Sequence, residues 1–273
     1  MDPVILLCRL TLAAYFASTL VYAGSILFKR VHTARTATGV FAAAFILHTL
    51  AILAAWIWIG HAPLLTIPGG MSFFAWTMAG AYLLFQLRTK TRVLGAFVSP
   101  AVFVFVTIAS TGLGEAVVIP PVLRNGLVLF HVMFAVMGEA LFAVASLAGL
   151  MYLIQDNRIK RRKTSPLIRY LPSLRDLDRI NHVCLLGGFP LLTLGILLGA
   201  LWARVAWGSI VQWDPKLLWS FLAWGVYALL LHQRLAIGWK GRRAALCAVV
   251  AFVLLLAAFG MEKAFFTTIH RFP

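Results

Sequence analysis

Acidic residues are scarce in this chain. Its 273 residues hold eight Asp and Glu against 24 Lys and Arg, and charges of both signs make up only 12% of the sequence. A soluble domain carries roughly a quarter, so a soluble enzyme or binding domain is excluded. Cysteine is also rare. Cys8, Cys184 and Cys247 each lie within or beside an apolar segment, and none forms a CxxC. They read as structural thiols rather than redox or zinc groups. No basic leader precedes the first apolar run, which begins at Val4, so a retained first helix is expected rather than a cleaved signal peptide. The net charge of +16 would suggest nucleic acid if the chain were soluble. Here the cations sit in short segments between apolar runs. They act as topology signals and as contacts to anionic lipid headgroups, and no nucleic-acid partner is expected.

What is abundant is hydrophobic residues, 62% of the chain. They come in long runs, each able to cross a hydrocarbon core of about 30 Å. The sequence predicts an all-α, polytopic membrane protein of about eight transmembrane helices, forming a single integral membrane domain over 1–273. Spans are expected near 4–28, 38–60, 70–88, 92–110, 126–154, 181–206, 216–236 and 243–264. The connecting segments alternate in charge. The first carries Lys29, Arg30 and Arg35, and the third Arg88, Lys90 and Arg92. The fifth, within 155–180, is the longest and most basic, and the seventh has Lys240, Arg242 and Arg243. The second is uncharged, and in the fourth and sixth Glu115 offsets Arg124 and Asp214 offsets Lys216. The positive-inside rule puts the odd segments in the cytoplasm and both termini on the outer side. A multi-pass protein of the cell inner (cytoplasmic) membrane is expected. The fifth segment contains Pro166 and Pro172 and reads either as a short amphipathic helix on the inner surface or as a solvated linker.

Ionisable groups inside a membrane are costly and mark function. Of seven histidines, His32, His61 and His182 fall in loops or at interfaces. His131 lies near the outer start of the fifth span and His270 beyond the last, also outside. His48 lies mid-span in the second helix and His232 toward the inner end of the seventh. Two imidazoles at the outer level and two below suit axial ligation of haem iron. Singly, each also reads as a satisfied hydrogen-bonding residue. The sixth segment and its flanks read WGSIVQWDPKLLWSFLAW, with Trp207, Trp213, Trp219 and Trp224. Such a cluster is either an interfacial aromatic belt or a shelf for a large planar ligand. Asp214-Pro215 has the grammar of a helix start, Asp capping and Pro in the first turn.

The segment WGSIVQWDPKLLWSFLAW resembles the tryptophan-rich WWD segment of the cytochrome c assembly family, the haem-handling proteins CcsA (ResC), CcmC and CcmF. YALLLHQRLAIGWKGRRAA, HVMFAVMGEALF and DRINHVCLLGGFPLLTLGILLGALWA are similar to the CcsA and HemX-like branch. The resemblance implies that the outer segment 207–224, with Trp207, Trp213, Asp214, Trp219 and Trp224, presents haem b outside the membrane. It implies that His131 and His270 ligate the iron there. His232 of LHQR matches one histidine of a deeper pair that holds haem in transit, and His48 is the candidate for the other. Val211 stands where the family has a further tryptophan, and Leu217 where it has a glutamate, so the shelf is less aromatic and less acidic than the family's. The expected function is a haem-delivery subunit of cytochrome c biogenesis, presenting haem for covalent attachment to apocytochrome c. It would be a subunit of a haem-lyase system rather than a catalyst alone, with a CcsB or ResB-like partner. A HemX-like regulator of tetrapyrrole synthesis is the alternative.

Overall fold

A computed structural model describes residues 3–27, 31–88, 92–113, 119–161, 172–208 and 215–265. Every long element among them is helical: α1 Pro3–Leu27, α2 Val31–Ile59, α3 Ile67–Arg88, α4 Gly95–Ser110, α5 Gly126–Lys160, α6 Leu174–Trp207, α7 Pro215–Leu235 and α8 Arg242–Phe265. Single 3-10 turns at Pro63–Leu65, Arg92–Leu94 and Pro121–Leu123 lead into α3, α4 and α5. Each helix answers to one expected span. The two longest run past it into the basic segment, α5 reaching Lys160 and α6 starting at Leu174. Residues 162–171 of that segment, where an amphipathic surface helix was one expectation, lie outside the described residues.

Among the described residues, α1, α2, α4, α5 and α6 are long and apolar enough to cross a membrane. The other three are interrupted by polar or small residues: Pro68, Gly69 and Gly70 in α3, Lys216 and Arg234 in α7, Arg242 and Lys263 in α8. Many large apolar side chains face outward, among them Ile46, Leu50, Leu53 and Ile57 along α2. In water that would be an aggregation liability; in lipid it is the expected solvent-facing surface.

Local signals set the helix ends. Asn125 Oδ1 accepts the Leu127 N–H at 2.9 Å and caps α5. Ser173 caps α6, its Oγ accepting the Asp176 N–H at 3.1 Å while donating to the Asp176 carboxylate at 2.7 Å, which satisfies one of the free N–H groups at the helix start. Gly208, at φ 76°, closes α6 in the left-handed region, where glycine carries no Cβ penalty.

The helices pack in two groups. In the first, α1 rests on α2 and α4, and α3 on α4 and α2. In the second, α5 rests on α6 and α8, and α7 on α8 and α6; α3 against α5 joins the groups. The α5–α6 seam is the tightest. A Cβ on Gly138 would meet the Gly188 carbonyl oxygen at 2.8 Å, and one on Gly195 would meet the Ala135 backbone nitrogen at 2.8 Å. Small residues allow this backbone approach, the main route to helix association where lipid supplies no hydrophobic drive.

Candidate functional site

His131 lies on the second turn of α5, beside a buried cluster of Leu64, Leu65, Phe73, Ile119, Leu123, Val128 and Trp202. Its Nδ1 donates to the Gly195 carbonyl oxygen of α6 at 2.7 Å. A carbonyl only accepts, so Nδ1 carries the proton in this bond. Gly199, one turn further along α6, underlies the ring: a Cβ there would sit 2.7 Å from His131 Cε1 and Nδ1. Gly195 and Gly199 thus form a side-chain-free track on which the imidazole rests. A histidine tied through one nitrogen to a backbone carbonyl has the outer-shell support typical of metal-ligating histidines.

The tryptophan segment is described in part. Trp224 is nine residues into α7, about 13 Å along its axis. Its Nε1 donates to Thr193 Oγ1 at 3.0 Å, and its ring is 5.5 Å from Phe189, both on α6. Trp224 is therefore packed between α7 and α6, more than two turns from the start of α7. Trp219 is half-buried one turn into α7. The Trp207 backbone ends α6, while its side chain, Trp213, Asp214 and His270 lie outside the described residues.

The deeper histidines are not brought together. His48 is 2% exposed. Its Nε2 is 2.9 Å from Ser72 Oγ on α3 and its Nδ1 is 3.4 Å from the Tyr15 hydroxyl on α1. His232 is exposed in the last turn of α7. The helices that pack on α2 are α1 and α3, whereas those on α7 are α6 and α8. Their places along the helices differ as well: His48 is eleven residues from the Ile59 end of α2, about 16 Å, and His232 is seventeen from the Pro215 end of α7, about 25 Å.

Two features escaped the sequence reading. Arg234, two residues after His232, is buried and spends its guanidinium on α6. It donates to His182 Nδ1 at 2.9 Å, Asn181 Oδ1 at 2.9 Å and the Asp178 carbonyl at 2.7 Å, and it pairs with the Asp178 carboxylate at 2.9 Å. Asp178 also accepts the Gly241 N–H at 2.9 Å, and Asn181 donates to the Ala145 carbonyl at 2.8 Å. Arg234 thus ties α7 to α6 directly, and through Asp178 and Asn181 the same group reaches Gly241, just before α8, and the middle of α5. Its sequence signal was an arginine inside an expected span. The second feature is Glu139, half-buried in α5 two turns below His131. An acid inside an apolar span is a functional signal by default.

The described geometry is that of a polytopic helical membrane protein in which the His131 imidazole is tied to a backbone carbonyl of a neighbouring helix. A profile of the cytochrome C assembly protein family matches residues 64–266. CcsA of Chlamydomonas reinhardtii, a cytochrome c biogenesis protein, is 34% identical over 218 residues, covering 77% of this chain and 60% of that protein. CcsA of Parasynechococcus marenigrum (strain WH8102) is 32% identical over 243 residues, 80% of each chain. CcsA of Chlorella vulgaris is 28% identical over 239 residues, 76% of each. The chain belongs to the cytochrome c assembly protein family, a membership that supports a role in cytochrome c biogenesis.

Proposed function

We propose that this protein delivers haem to the outer face of the membrane for attachment to apocytochrome c. The observation that carries the reading is the His131 Nδ1 bond to the Gly195 carbonyl at 2.7 Å. It fixes the plane of the imidazole and the position of the Nδ1 proton on the second turn of α5. Haem, taken as haem b, is cargo rather than a resident cofactor. His131 supplies one axial ligand and His270 the opposite one, and Trp207, Trp213, Asp214 and Trp219 form the shelf for the ring. Two imidazoles on the iron leave no position for water or oxygen. The bond-forming carbons belong to the haem vinyl groups, and the protein's part is orientation.

The alternating loop charges support eight crossings with both termini outward, in the cytoplasmic membrane. A ResB or CcsB-like partner would hold the apocytochrome, whose CxxCH thiols add to the vinyls. On this reading His232 contacts haem on the inner side and His48 is not its co-ligand, because the two stand on helices that do not pack together.

The test is the absorption spectrum of the purified protein beside His131→Ala and His270→Ala. Loss of haem or a changed Soret band in each variant is expected. Wild-type haem content and spectrum in both would end the assignment. In cells, a deletion that leaves cytochrome c maturation intact but alters haem-precursor levels would favour the HemX-like regulator instead.

A further inference from the structure

A second site lies in the other half of the molecule. Between the outer ends of α1, α2, α3 and α4 is a cavity of about 560 Å³, within the range of sites that enclose a small organic molecule, roughly 300–1,000 Å³. Val4, Ile5, Ile52 and Val106 give it apolar walls. Its deeper polar groups are Thr11, His48 and Ser72, all uncharged, and among the described lining residues Arg124 is the single cation. Thr11 is 1% exposed and its hydroxyl has no hydrogen-bond partner. A buried hydroxyl left unsatisfied calls for an explanation, and a missing ligand is one. Beside it, Ser72 Oγ and His48 Nε2 share a 2.9 Å hydrogen bond in which either group can hold the proton between them.

We propose that this cavity binds the ring of a membrane-borne quinone or quinol, at a site separate from His131. A quinone ring is planar and neutral, with carbonyls that only accept. The Thr11 hydroxyl donates to one of them. The Ser72–His48 pair can donate to a carbonyl or accept from the hydroxyl of the reduced form. The apolar walls match the ring substituents and the start of an isoprenoid tail. Haem matches less well. Its two propionates need cations, and the described lining has one, Arg124. A lipid acyl chain would have no use for the buried hydroxyls. The lining residues cluster at the helix ends that loop charge assigns to the outer side, so the ring enters from the outer leaflet.

The test uses the full-length protein in detergent, titrated with a one-isoprene benzoquinone. The readout is quenching of tryptophan emission, to which the lining residue Trp58 contributes. Saturable quenching is expected. Thr11→Val, which keeps the side-chain shape, should weaken binding about tenfold, the scale of one lost hydrogen bond in an apolar site. Its thermal midpoint should not fall, because the hydroxyl has no partner to lose in the unliganded protein, and His131→Ala should bind the quinone as the wild type does. Because His48→Ala removes a buried, hydrogen-bonded ring, Thr11→Val is the deciding variant. Quenching that rises without saturation, or equal binding by Thr11→Val, overturns the proposal. So does competition by haem with a Soret band that Thr11→Val or Ser72→Ala abolishes, since the cavity would then belong to a tetrapyrrole.

Discussion

Gly199→Ala asks whether the imidazole of His131 is held where a ligand must be. The added methyl would sit 2.7 Å from His131 Cε1 and Nδ1. Carbon atoms pack at about 3.5 Å or more, so the ring must retreat by about 0.8 Å. The Nδ1 bond to the Gly195 carbonyl, now 2.7 Å, then stretches to about 3.5 Å, beyond useful hydrogen-bond length. The direct stability cost is about 1 kcal/mol for the lost bond, a shift of a few degrees in thermal midpoint. The functional cost is larger, since loss of an outer-shell partner typically lowers metal affinity about 10–100-fold. Gly187→Ala is the matched control on the same helix: its methyl meets only Leu141 Cδ1, at 3.4 Å. The assay is haem titration of the two purified variants, following the Soret band, with thermal midpoints alongside. Weak haem binding by Gly199→Ala and near-normal binding by Gly187→Ala is the expected pair. Equal affinity and identical spectra in both would refute the tethered-ligand argument, whatever the midpoints.

Other consequences can be checked separately. Arg234→Leu leaves Asp178 and Asn181 without their shared partner; breaking a buried ion pair costs about 3–5 kcal/mol, so a large fall in thermal midpoint is expected, and an unchanged midpoint would show that this junction does not hold α7 to α6. Thr193→Val removes the acceptor of Trp224 Nε1; membrane-embedded hydrogen bonds average about 0.6 kcal/mol, so the midpoint should barely move while Trp224 emission shifts. Cys184 is 1% exposed whereas Cys8 and Cys247 are partly exposed, so a maleimide should modify the latter two in the folded protein and reach Cys184 only after denaturation. A cysteine placed at Ser165, in the basic segment, should react only from the cytoplasmic side; labelling from outside would invert the topology.

The helices were legible because lipid imposes a simple rule. Backbone polar groups must be satisfied inside each segment, so apolar runs of sufficient length become helices. That is why the runs beginning at Val4 and at Val93 map onto α1 and α4. The overshoot of α5 to Lys160 and the early start of α6 at Leu174 were not legible, because past the bilayer edge a helix continues on propensity and capping, not on hydropathy. Among site residues, His131 was legible from its place at the start of a span and from the WWD resemblance. Its tether was not: Gly195 and Gly199 matter because α6 passes within backbone contact of α5, which no local pattern in either helix specifies.

Trp224 shows the same division. Sequence counted it with the outer tryptophans, while the packing of α7 on α6 sinks it to Thr193 and Phe189. The two deep histidines show it most clearly. Hydropathy placed His48 and His232 inside the membrane, since each interrupts a span. Whether they face one another depends on which helices are neighbours. The structure sets α2 against α1 and α3, and α7 against α6 and α8. The chain's own letters therefore determined its class, its helices and which imidazoles are unusual, because desolvation acts on each segment alone. Only the tertiary structure decided that the His131 ring is tied to a carbonyl over a bare glycine surface, because both come from a different helix.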